Sequence, residues 1–131
     1  MSTRRVEEIR RDLRELRRLT HSIESMLTLR DNHTRRITYL RTCGPGATAE
    51  IERINAMLES LKIKEAIAKA NELEARYMGT IGRLDASLRT VIIEGYINGK
   101  PYWKIGKEMG YSERSVQAKV NAALEKLSKM I

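Results

Sequence analysis

Apolar residues recur along the first thirty positions at alternating spacings of three and four. Val6, Ile9, Leu13, Leu16, Thr20, Ile23 and Leu27 form a heptad seam with only Thr20 polar. The pattern predicts a helix over residues 3–30, about 28 residues and about 40 Å long. Such a rod is not stable alone, so its seam requires a partner helix. Asp31-Asn32 is expected to interrupt it, with Ile37, Tyr39 and Leu40 resuming or turning before Cys43. Cys43-Gly44-Pro45-Gly46 is the clear loop, because no helix interior tolerates that proline. Beyond it, Thr48 is a candidate cap, with Glu50 and Glu52 in the first turn. Ile51, Ile54, Leu58 and Leu61 repeat the heptad spacing, which drifts to Ala66, Ile67, Ala70, Leu73 and Tyr77. That predicts one helix of about thirty residues. A short loop between two striped helices favours an antiparallel hairpin. The competing arrangement is an extended helix that pairs with a second chain.

Gly79 and Gly82 mark a joint. Asp85 can cap a helix that runs to about Tyr96, and Asn98-Gly99-Lys100-Pro101 is a turn. Thr90–Ile93 is the longest strand candidate, and its helical surroundings claim it. The last thirty residues then read as helix, tight turn, helix. Ile105 and Met109 lie one turn apart on the first helix, and Gly110 sits just past its end. Ser112 can cap the second helix, with Glu113 in its first turn. Val116, Val120, Ala123, Leu124 and Leu127 form its apolar stripe. Two short helices joined this way make a helix-turn-helix, whose second helix enters the DNA major groove.

At these residues the chain resembles region 4 of bacterial sigma factors. The resemblance lies in Ile105-Gly106-Lys107-Glu108-Met109-Gly110-Tyr111-Ser112-x-x-Ser115-Val116, with Ala122-Ala123-Leu124-Glu125-Lys126-Leu127 similar to the closing turns. Leu84-Asp85-x-x-Leu88-Arg89-x-Val91-Ile92 looks like the preceding helix of that unit. The likeness covers residues 82–131. Small phage proteins of the RinA and ArpU late-gene activator type also place such a domain behind a helical N-terminal half, and the chain resembles them. The resemblance implies an activator of phage genes that acts on double-stranded DNA near RNA polymerase. The first eighty residues show no recognisable core-binding, promoter-melting region, which argues against a complete sigma factor.

Charge supports an anionic partner. The chain carries +8 with 131 residues, and its pI is near 9.9. Residues 1–42 hold eleven arginines against six acids, residues 43–100 eight of each sign, and residues 101–131 six basic against three acidic. Both ends are therefore basic and the middle neutral. A lone Cys43 excludes an internal disulfide and fits a reducing cytosol. No apolar run approaches the roughly 20 residues of a membrane span, and no apolar signal core follows the N-terminus. These features predict a cytoplasmic protein with no membrane partner, and the resemblance to phage regulators implies a bacterial host cell.

Base readout falls to the outward face of the last helix. The candidate DNA-contacting residues are Lys104, Lys107, Ser112, Glu113, Arg114, Ser115, Gln117, Ala118, Lys119 and Asn121. Gln117 suits adenine, Arg114 guanine or phosphate, and Ala118 a thymine methyl. Lys104 and Lys107 suit the phosphate backbone. Trp103 is expected in the core, and Tyr111 partly buried. The arginines of the first helix either line a second phosphate-binding surface or solvate a coiled coil, paired with Glu7, Glu8, Asp12 and Glu15. No catalytic, cofactor or metal constellation emerges. His21, His33 and Cys43 match no compact zinc spacing, and no phosphate loop, HExxH or nucleophile elbow occurs.

The reading is an all-α protein. Residues 1–80 form a helical hairpin or coiled coil that mediates self-association, expected as a dimer. Residues 82–131 form the helix-turn-helix domain. If the two stripes satisfied each other within one chain, Leu19, Met26, Leu29 and Met57 would still leave an apolar flank. Two rival functions stand beside DNA-reading regulation. One is a module that docks on RNA polymerase without reading DNA. The other is a phage DNA-packaging accessory protein.

Overall fold

The computed structural model describes residues 2–131, with side chains from Arg4 onward. The chain is all-α, and the described residues contain no strand. Six α-helices follow in order: α1 Ser2–Arg41, α2 Thr48–Ser60, α3 Ile63–Ile81, α4 Ala86–Ile92, α5 Tyr102–Met109 and α6 Glu113–Met130. A 3₁₀ turn, Pro45–Ala47, precedes α2, and a π-helical turn, Ile93–Ile97, extends α4.

Helix α1 is longer than its pattern predicts. It runs 40 residues without a break, about 60 Å. Asp31-Asn32 does not interrupt it. These residues are weak helix formers, but no glycine or proline lies between positions 2 and 41 to force a break. The predicted thirty-residue helix after the loop is instead two helices. Lys62 stands between them with φ 53°, a left-handed conformation rare for a residue with a Cβ. The drift in apolar spacing near Leu61 is the trace of that break. Helix α3 then passes straight through Gly79 and stops at Ile81.

Two expected caps do other work. Ala47, not Thr48, holds the cap position of α2, and the Thr48 hydroxyl donates back to the Pro45 carbonyl at 3.0 Å. Asp85 occupies the cap position of α4 in extended backbone, but its carboxylate accepts from Lys126 at 3.2 Å instead of capping an amide.

The chain forms two compact units, Met1–Arg18 with Ala70–Ile131, and Leu19–Lys69. The first unit joins the start of α1 and the end of α3 to the four C-terminal elements. Val6, Ile9, Leu13 and Leu16 of α1 are buried. So are Leu73, Tyr77 and Ile81 of α3, Val91 and Ile92 of α4, Ile105 of α5, and the α6 stripe Val116, Val120, Ala123, Leu124 and Leu127. Each fully buried aliphatic side chain stabilises the fold by about 1.5–3 kcal/mol. Helices α4 and α5 both pack on α6.

Polar contacts fix the register. Asp12 accepts from the Tyr77 hydroxyl and from Arg76 at 3.3 Å. Burial and the Asp12 carboxylate push the Tyr77 hydroxyl up to about 12. Arg5 donates to the carbonyls of Ser128 at 3.2 Å and Ile131 at 3.5 Å. A cation there complements the negative end of α6.

The second unit has a smaller core. Ile37 and Leu40 of α1 pack with Ala47 and Ile54, flanked by Ile51 and Leu58. Arg36 pairs with Glu50 at 3.2 Å across the same contact. Along the rest of the seam Leu19 is buried, Ile23, Met26 and Leu27 are half-buried, and Thr20 is exposed. Leu29, Met57 and Ile67 are exposed.

Candidate nucleic-acid interface

The start and end of the α5–α6 turn are built by local chemistry. Gly110 ends α5 at φ 78° and ψ 27°, a left-handed conformation that a glycine adopts without a Cβ clash. The Ser112 hydroxyl accepts from the Ser115 amide at 3.1 Å and so caps α6. Gly106 fixes how closely the turn folds back. The Tyr111 amide donates to the Gly106 carbonyl at 2.7 Å, and a Cβ at Gly106 would stand 2.5 Å from the Tyr111 carbonyl oxygen. Only a glycine admits this approach.

Helix α6 divides cleanly by face. Val116, Val120, Ala123, Leu124 and Leu127 are all at 0% exposure. Glu113, Arg114, Ser115, Gln117, Ala118 and Asn121 are exposed. Arg114, Gln117, Ala118 and Asn121 follow helical spacing and share one stripe. Gln117 donates to Asn121 at 3.3 Å, which links two of its side chains. Lys104 and Lys107, one turn apart on α5, are exposed as well. Among the described residues no carboxylate pairs with Lys104, Lys107 or Arg114.

Two residues stand differently from the sequence expectation. Lys119 is half-buried, with its ammonium 4.8 Å from the centre of the Tyr111 ring, a cation–π contact that draws it off the outward stripe. Tyr111 keeps 40% of its surface exposed under that lysine. Trp103 is not in the core; it is 58% exposed. Ile105 and Gly106 take the inward positions of α5, which leaves no room on that face for an indole.

A charge cluster links the segment before α5 to the end of α5. Lys100 pairs with Glu94 at 2.6 Å and with Glu108 at 3.0 Å. The hydrogen bond from Lys100 holds the Glu94 carboxyl below the usual carboxylate range. One cation shared by two carboxylates leaves this cluster with a net negative charge, while Lys104 and Lys107 have no carboxylate partner among the described residues.

The arginines of α1 are not spread evenly over solvent. Arg4, Arg10, Arg11 and Arg18 pair with Glu8, Glu7, Asp12 and Glu15. Arg10 also donates to the Tyr96 hydroxyl at 3.1 Å, and the Arg14 guanidinium lies 6.0 Å from the centre of the Tyr96 ring. No sequence signal pointed to Tyr96, which lies some eighty positions away. Among the described residues no group of His, Cys, Asp and Glu is placed to hold a metal ion. No helix is long and apolar enough to cross a membrane.

No family model matches the chain, and no curated protein or solved structure matches it. The function of this surface has to be read from its own chemistry.

Proposed function

We propose that α5 and α6 form a sigma region 4-like helix-turn-helix that reads double-stranded DNA, in a phage-type regulator of transcription acting near RNA polymerase. One observation carries this reading. Helix α6 presents a stripe of Arg114, Gln117, Ala118 and Asn121 opposite a fully buried face, with unpaired Lys104 and Lys107 beside it. The stripe has the donors, acceptors and methyl group that read base edges, and the lysines have the charge that grips phosphates. Ser112, Glu113 and Ser115 sit where the helix start would approach the backbone. Residues 1–80 act in self-association, and a second copy covers the half-buried band of Ile23, Met26 and Leu27. A dimer would place two recognition helices on two half-sites. The setting is the bacterial cytoplasm.

Footprinting tests the reading. Arg114→Ala and Gln117→Ala should each lose roughly 1–3 kcal/mol at the specific site, and Gln117→Ala should change non-specific binding less. Lys104→Ala or Lys107→Ala should weaken all sequences together and flatten the salt dependence by about one unit. Unchanged affinity in folded Arg114 and Gln117 variants would reject the base-reading face.

The exposed Trp103 favours a second reading, in which the same module docks on RNA polymerase. Large exposed aromatics are enriched at protein interfaces. Salt-independent association with polymerase, lost in Trp103→Ala, would select it. Mapping the bound site to a packaging sequence instead of a promoter would select the packaging role.

A further inference from the structure

Arg14 and Arg17 stand apart from Arg4, Arg10, Arg11 and Arg18, which pair with acids. Among the described residues neither pairs with a carboxylate. Both line one cavity of about 190 Å³ together with Gly95, Tyr96 and Tyr102. The cavity belongs wholly to the first compact unit. Its parts come from α1, the π-helical turn and the first residue of α5.

The walls are made of donors. The Arg14 guanidinium stacks over the Tyr96 ring, which leaves its N–H edge to point elsewhere. The Arg17 guanidinium lies directly on Gly99, where any side chain would collide with it. The Tyr96 oxygen accepts from Arg10 at 3.1 Å. Burial, then the neighbouring Tyr96, raises the Tyr102 hydroxyl above its usual range. A phenol oxygen that accepts from Arg10 keeps its own proton for a further group. Acids on the same elements are engaged: Glu94 with Lys100 at 2.6 Å, and Glu15 with Arg18 at 2.6 Å.

Two uncompensated guanidinium groups and a free phenol proton call for an oxyanion. Arginine forks match phosphate geometry with paired N–H bonds. Size narrows the choice. Pockets for drug-sized ligands run to about 300–1,000 Å³, so this one suits a single phosphoryl group and not a nucleotide. The π-helical turn fits the same view, since such bulges occur frequently at functional sites.

We propose that Arg14, Arg17, Tyr96 and Tyr102 form a seat for one phosphate group, either a backbone phosphate of a nucleic acid or free inorganic phosphate. The seat turns the arginine-rich helix from a solvated face into part of a binding surface. It stands on its own geometry, whether or not α6 reads bases.

The test uses the full chain and two probes. Inorganic phosphate is titrated at low ionic strength while amide and guanidinium NMR signals are followed. Saturable shifts should centre on Arg14, Arg17 and residues 95–102. Arg14→Gln with Arg17→Gln should weaken them at least tenfold, and Arg14→Lys should weaken them several-fold by keeping the charge and losing the fork. A short random-sequence duplex is then titrated over a range of salt. If the occupant is a backbone phosphate, the double variant flattens the salt slope by about one unit per lost contact. If it is free phosphate, the slope stays the same while the phosphate shifts vanish. Should the double variant fail to fold, Arg14→Gln alone carries both titrations. No saturable shift at these residues in the wild type, or an unchanged titration in a folded variant, overturns the proposal.

Discussion

The two compact units use the same apolar alphabet and bury it to different depths. In the first, Leu13, Ile81, Val91, Val116, Val120 and Leu127 reach 0% exposure. In the second, Ile54 at 8% and Leu40 at 5% are central to a small core, while Leu29 at 37% and Met57 at 40% face solvent. Both stretches of α1 carry one continuous seam, so spacing alone does not decide coverage. Coverage depends on how many elements meet the stripe. Five helices contribute to the first core, whereas a loop and one short helix close the second around Ile37 and Leu40. A stripe that is only half covered is a surface that a second copy can use; a fully covered one is scaffold for the residues it positions.

The sharpest way to break this contrast is to shorten one leucine in each unit. Leu13→Ala should cost about 2–5 kcal/mol, because a fully enclosed site cannot collapse around the void. Leu29→Ala should stay within about 0.5 kcal/mol in the monomer. Chemical denaturation of both variants measures this. If the second unit self-associates, sedimentation should show Leu29→Ala shifting the assembly equilibrium while the monomer is unchanged. Equal losses from the two leucines would erase the distinction.

Two glycines give a second test. Gly106→Ala should cost about 1–3 kcal/mol, since its Cβ would press on a backbone carbonyl. Gly46→Ala meets nothing within 4 Å and should be neutral or slightly stabilising. If α5 and α6 read DNA as proposed, Gly106→Ala should also weaken that binding by changing how the two helices meet.

Two tyrosines give a third and smaller one. Tyr77→Phe removes a bond to a carboxylate and should cost about 1–3 kcal/mol, while Tyr39→Phe, 60% exposed, should cost almost nothing. The pH dependence follows from the direction of the shift. The Tyr77 hydroxyl is raised from 10.0 to about 12, mainly by burial and then by Asp12. Its neutral form is therefore the one the fold favours. That stability is fully present below the ordinary value and is lost as pH climbs through about 12. In an ultraviolet titration the last tyrosine to ionise should disappear in Tyr77→Phe and persist in Tyr39→Phe.

The parts of the fold legible in the sequence are those that local chemistry decides. Gly110 and Ser112 were readable because a left-handed stop and a hydroxyl cap need only neighbouring atoms. The inward stripe of α6 was readable from its period. Lys62 was not, because a left-handed lysine carries no glycine or proline to announce it. Asp85 looked like a cap, but its carboxylate answers to Lys126, 41 positions on. The seam of α1 declared that it needed partners without naming them. That Leu13 would be sealed, and that Arg10 and Arg14 would meet Tyr96, are tertiary facts with no local signature. Of the candidate site, the exposed stripe was legible; the lysine drawn onto Tyr111 and the exposed Trp103 were not.

The most direct measurement is selection of bound duplexes from a randomised pool, run in parallel with the wild type and Gln117→Ala. A base-reading α6 should enrich one sequence family in the wild-type pool. Gln117→Ala should relax the preference at one position, by about 1–3 kcal/mol, and keep it at the others. A wild-type pool that stays random while total binding remains strong would contradict the account, because phosphate contacts alone would then explain all affinity.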